Sequence, residues 1–190
     1  MESKLIEVYS KEDFRKWLAK NHDKEKKIGL ILHKKHTGKT SPSHKELMHE
    51  AICFGWIDTT IKRLDEDRFI RFFSRRTKNS TWSYNTLSYA KKLIKQKRMT
   101  PHGLTIYKEG LKKKPHDHGI PDSPNVPKEL KEALDKNPKA KENFKNLAPS
   151  YRKTYLRWLF RAKQEKTRKK RIDTIVKNMA EGKGNPGLAA

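Results

Sequence analysis

The sequence contains a single cysteine, Cys53, so no disulfide can form within the chain and a reducing compartment is expected. It has no run approaching the roughly 18 apolar residues needed to span a bilayer. Its first residues, MESKLIEVYSKEDF, lack the apolar core of a signal peptide, so a cytoplasmic protein is expected. Glycine-rich phosphate loops are absent, as are GxSxG, HExxH and GxGxxG motifs and any spaced carboxylate pair with an evident task. No catalytic residue is nominated and no cofactor is expected; a non-catalytic role is favoured, and enzymatic activity is left open. No CxxC accompanies Cys53, and His116-Asp117-His118 supplies only two neighbouring nitrogens, so no metal site is expected.

Acidic side chains are also scarce. Against 46 Lys and Arg stand 22 Asp and Glu, a formal net charge of +24 in 190 residues. Such a field attracts nucleic acid, anionic lipid or an acidic protein. The lysine-rich character fits a solvated surface equally well. Only 33% of the residues are hydrophobic, yet Trp, Phe, Ile and Leu recur along the whole chain, which marks folded protein rather than disorder.

The apolar periodicity predicts an α+β chain. Strands are expected at LIEVY (5–9), IGLILH (28–33), WIDTTIK (56–62) and RFIRFFSRR (68–76), the last two forming a hairpin across LDED. Ser10 with Asp13, and Ser43 with Glu46, stand at capping-box spacing before helices carrying Phe14, Trp17 and Leu18, and Leu47, Met48, Ala51 and Ile52. Gly55 is placed to end the second of these. A helix from Ser83 or Tyr84 to about Met99 and a shorter one around Leu104, Tyr107 and Leu111 follow. An N-terminal α+β domain with a small antiparallel sheet is therefore expected over 1–114, then a Pro- and Lys-rich linker over 115–126. A C-terminal all-helical bundle of four short helices is expected over 127–182, and a fraying tail over 183–190.

FGWIDTTIK, FFSRRTKNSTWSYN, RMTPHGL and LAPSYRKTYLRWLFRAKQEKTRKKRI resemble, in order, signature blocks of the YdeI/OmpD-associated, or bacteriocin-protection, family. The resemblance implies a role in stress or bacteriocin tolerance and names no catalytic residues. It also implies that Lys163, Thr167, Arg168 and Arg171 serve a shared fold role.

Two constellations are candidates for binding. In the first, Asp58 lies in an aromatic hairpin, where a carboxylate must meet solvent or a cation. Arg75 or Arg76 is the expected cation, as a hairpin clamp or as part of a ligand pocket. Ser80, Trp82, Ser83 and Asn85 follow, and the hydroxyls either cap the next helix or hold an anion with its N-terminal amides. His49 and Cys53 stand four apart and could pair, although a cysteine between Ile52 and Phe54 suits a core position.

The second is YRKTYLRWLFRAKQEKTRKKR (151–171), with ten basic residues, one acid and four aromatics. Tyr155, Leu156, Leu159 and Ala162 read as its core stripe. Arg157, Arg161, Lys163, Lys166, Arg168, Lys169, Lys170 and Arg171 are the candidate polyanion contacts, with a solvated bundle face as the alternative. The favoured reading is non-catalytic binding of nucleic acid or an acidic protein. An enzyme or small-anion sensor using Asp58, Arg75 and Arg76 is the alternative.

Overall fold

The computed structural model describes residues 4–184, which divide into two compact units between His116 and Asp117. The first unit runs β1 (Leu5–Glu7), α1 (Lys11–Asn21), β2 (Lys27–His33), a 3-10 turn (Lys35–Thr37), α2 (His44–Cys53), β3 (Trp56–Arg63), β4 (Arg68–Arg75), α3 (Tyr84–Lys95) and α4 (Pro101–Leu111). The second holds α5 (Lys128–Asp135), α6 (Pro138–Lys145), α7 (Pro149–Phe160) and α8 (Glu165–Ala180). The α+β class is as expected. No described helix is long and apolar enough to cross a membrane.

Both capping boxes form. Ser10 Oγ accepts from Asp13 N at 3.2 Å while Asp13 Oδ2 accepts from Ser10 N at 2.9 Å. Ser43 Oγ and Glu46 do the same at the start of α2. Gly55 has φ +73° just after α2 and carries the chain straight into β3. The helix expected to reach Met99 stops at Lys95, because Lys97 turns left-handed (φ 56°). That turn lets Thr100 donate from both N and Oγ1 to the Cys53 carbonyl, at 3.0 and 2.8 Å, tying the start of α4 to the end of α2.

The sheet order is β1-β2-β4-β3. The pairs β2–β4 and β3–β4 are antiparallel, but β1 joins β2 in parallel, so the sheet is mixed rather than wholly antiparallel. The reason is α1, which carries the chain from one end of the sheet back to the other before β2 begins. Period-2 alternation turns Ile28, Leu30 and Leu32 into the core with Phe73. Phe14, Leu18, Leu47, Ile52, Trp56 and Leu93, all 0–1% exposed, complete that core, each large side chain contributing about 1.5–3 kcal/mol by burial. On the opposite face Gly29 leaves room for Leu5, Ile70 and Phe72 to close over it; a Cβ there would lie 2.4 Å from Leu5 Cδ2.

The second unit has its own core of Leu130, Leu134, Ala140, Phe144, Tyr155, Leu156, Leu159, Ile175 and Met179. Asn137 caps α6, accepting from Ala140 N at 3.0 Å with Pro138 at the first helical position. Within the stretch expected as a linker, Asp117 is buried and accepts from Arg157 Nη2 of α7 at 3.4 Å, and Asp122 pairs with Lys153. From Asp117 onward these residues therefore pack on the helical unit. Of the expected tail, residues 185–190 lie outside the described residues.

Candidate functional site

The residues expected to share an anion pocket near Asp58 are not gathered into one. The register sets Asp58 opposite Phe73, with an irregularity between Asp58 and Ile61. Its carboxylate accepts from His44 Nε2 at the start of α2, at 2.8 Å, and has Arg71 Nη1 at 3.7 Å. These two are its direct contacts; Arg76 feels its charge without touching it, and Arg75 makes no contact with it. Burial alone would raise the Asp58 carboxyl, but the His44 hydrogen bond and the charges of His44 and Arg71 outweigh it and hold the group below its ordinary value.

Arg75 turns away and donates from Nη1 to the Asp23 carbonyl at 2.8 Å. Arg76 is 4% exposed, lies 3.8 Å over the Trp82 ring and donates from Nη1 to the Thr81 carbonyl at 2.9 Å. Burial pulls it down to about 10, against the attraction of Asp58. Trp82 is itself buried, edge-on to Tyr107 at 5.9 Å. The hydroxyls serve local structure: Ser80 Oγ accepts from Thr77 N at 3.0 Å, and Ser83 Oγ caps α3 by accepting from Thr86 N at 3.1 Å. Asn85 is exposed in the first turn of α3. An Arg-Trp stack and a helix cap thus occupy the groups that an anion would need.

Cys53 is fully buried and burial pushes its thiol up, while His49 packs edge-on to Tyr89 at 5.0 Å. The thiol keeps its proton at neutral pH, and no thiolate-imidazole pair forms.

The basic segment of the second unit divides by residue type. Its arginines mostly bond inward. Arg157 donates to the Pro121 carbonyl at 2.7 Å and pairs with Asp117, Arg168 bonds Glu129 at 2.5 Å and lies over Phe160, and Arg171 donates to the Trp158 carbonyl and stacks on that ring at 4.7 Å. Arg161, Lys163, Lys166, Lys169 and Lys170 are exposed, with no acidic partner among the described residues. At 100° per residue, Lys166, Lys170 and Lys177 share the face of α8 opposite Ile172, Ile175 and Met179, interrupted by Asp173, and exposed Lys169 stands at the edge of that face. The planar guanidinium suits directed, stacked contacts, and the flexible ammonium remains hydrated.

A third feature was not legible in the sequence. Glu7, Tyr9, His33, Lys39, Asp67 and Arg68, with Thr37 and Asp65, line a recess of about 400 Å³ at one end of the sheet. His33 is 6% exposed; its Nε2 lies 2.7 Å from Glu7 Oε1, and its ring stacks on Tyr9 at 5.8 Å. Arg68 donates from Nε to Asp65 at 2.8 Å, and His36 meets Asp67 at 3.1 Å. The local signal is Asp65 three residues before Arg68; the rest is assembled from β1 and the residues just after it, the end of β2, the segment from the 3-10 turn to Lys39, and the β3–β4 turn. No group of three His, Cys, Asp or Glu suited to a metal ion occurs among the described residues.

Comparison with known proteins separates the two units. Residues 6–106 match the family model described as a domain of unknown function, DUF8412. Residues 123–182 match the model described as bacteriocin-protection, YdeI or OmpD-associated. A stretch of 60 residues is 37% identical to the protein named "Uncharacterized protein YdeI" of Bacillus subtilis (strain 168), covering 32% of this chain and 30% of that protein. No solved structure matches. The YdeI resemblance is thus carried by the C-terminal segment, whereas FGWIDTTIK, FFSRRTKNSTWSYN and RMTPHGL fall in the other matched region. The chain belongs to the DUF8412 family through residues 6–106, and its residues 123–182 are similar to the bacteriocin-protection, YdeI or OmpD-associated family.

Proposed function

We propose that the second unit binds the phosphate backbone of nucleic acid, without sequence readout and without catalysis. The observation that carries this reading is the group Arg161, Lys163, Lys166, Lys169 and Lys170, exposed and without acidic partners among the described residues, while neighbouring arginines are held by the fold. Hydrated ammonium groups on one helix face release counterions when they meet phosphates, and that release drives binding of this kind. The buried, reduced Cys53 suits action in the cytosol. The description of the C-terminal family supports a role in bacteriocin protection.

The test is fluorescence anisotropy with single- and double-stranded DNA, RNA and polyglutamate across a salt series. Binding to nucleic acid should weaken with salt at about 0.9 log units per phosphate neutralised. Exchanging Lys166, Lys169 and Lys170 for Glu should make that slope about two to three units shallower, whereas exchanging exposed Lys16 and Lys20 on α1 and Lys24 in the turn after it should change it little. Equal loss from both triplets would reduce the effect to net charge and refute a site on α8. Tighter binding of polyglutamate than of any nucleic acid would identify an acidic protein as the partner instead.

A further inference from the structure

We infer that the recess lined by Glu7, Tyr9, His33, Lys39, Asp67 and Arg68 binds an uncharged polyhydroxylated ligand of pyranose type. This lies in the first unit, outside the nucleic-acid reading, and stands or falls separately from it.

The argument begins with charge. In a chain of net charge +24, a site for an anion should show cations in excess. Here each carboxylate meets its own counter-group: Glu7 with His33 at 2.7 Å, Asp65 with Arg68 at 2.7 Å, and Asp67 with His36 at 3.1 Å. Lys39, exposed beside them, is the one cation of the lining without an acidic partner among the described residues. The wall therefore offers many fixed donors and acceptors but little net charge. Charged ligands gain little from it. Neighbouring hydroxyls gain more, because a hydroxyl donates to a carboxylate oxygen while accepting from a guanidinium, ammonium or imidazole N–H.

Shape and surface agree. Tyr9 is 47% exposed although its ring stacks on His33, leaving aromatic surface beside a polar wall. The C–H face of a sugar ring packs on such a surface while its hydroxyls reach the surrounding polar groups. A volume of about 400 Å³ falls within the range of small-molecule sites. The carboxylates are fixed before any ligand arrives: Asp65 Oδ1 accepts from Asp67 N at 2.9 Å, and Arg68 holds its other oxygen. Such preorganisation lowers the ordering cost of binding.

The experiment is amide NMR of the full chain titrated with glucose, galactose, mannose, N-acetylglucosamine and maltose, with glycine and inorganic phosphate as charged comparisons. At least one sugar should shift the amides of Tyr9, Thr37, Lys39 and Asp67 saturably, with a Kd of about 1 mM. Tyr9→Ala and Asp67→Ala, both at exposed positions, should each weaken that binding about tenfold or more while leaving the rest of the spectrum in place. The inference is overturned if none of the sugars saturates these amides. It is equally overturned if only glycine or phosphate does so, or if the shifts survive Tyr9→Ala.

Discussion

Glu50 Oε2 accepts a hydrogen bond from Arg15 Nη1 at 2.7 Å, with the Glu50 side chain only 2% exposed. Its other carboxylate oxygen accepts from Arg98, so this one acid joins α1, α2 and the chain leaving α3. Replacing Glu50 with Ala would strand two guanidinium groups. Because Arg15 and Arg98 keep 39% and 33% of their side-chain surface in water, the loss should fall below that of a wholly buried pair, at about 2–3 kcal/mol. Urea unfolding measures it, and a loss within 0.5 kcal/mol, as at an ordinary surface site, would contradict the clamp.

Gly103→Ala tests how closely α4 meets the end of α2. A Cβ at Gly103 would lie 2.0 Å from the Cys53 carbonyl oxygen, and that oxygen is fixed by two bonds from Thr100. Alanine gains about 1 kcal/mol in helix propensity, but the clash with backbone should cost more, giving a net destabilisation of about 1–3 kcal/mol. A raised Tm would show that the two helix ends can separate.

Acid should destabilise the first unit through Asp58. Its folded carboxyl titrates below the ordinary 3.8, so its stabilising contribution is present above that pH and is lost as pH falls from there through the folded value. Asp58→Asn should reduce the dependence of unfolding free energy on pH below about 4, and His44→Ala should do so in part. Parallel curves for wild type and Asp58→Asn would mean that the His44 and Arg71 contacts do not stabilise the ionised group.

Cys53 should be silent toward thiol reagents in the native protein. It is 0% exposed and burial pushes its thiol up, so both access and the thiolate fraction are low. Reaction with a disulfide reagent should proceed at the rate of unfolding and become immediate in denaturant. Rapid native-state labelling would place Cys53 at a reachable surface.

What could be read along the chain was what depends on neighbours along the chain. The Ser10–Asp13 and Ser43–Glu46 boxes close within a single helical turn, and the β-branched and aromatic content that marks strands at 28–33 and 68–76 is a property of each segment alone. The stripe of Ile172, Ile175 and Met179 on α8 likewise announces its own buried face. The division of the basic segment into inward arginines and outward lysines is only half legible: helical spacing separates the faces, but Glu129, Asp117 and the Trp158 carbonyl come from elsewhere.

The sequence by itself determined the α+β class, the helix starts, the helical character of the C-terminal region and its exposed lysine face, because hydrogen bonds and apolar periodicity within one element settle these. Only the tertiary structure decided that Asp58 pairs with His44 and Arg71, that Arg76 stacks on Trp82, that β1 is parallel to β2, and that Glu7, His33 and Arg68 line one recess. These relationships join segments far apart in the chain. They depend on strand order and on the packing of the whole core, which no local pattern of residues carries.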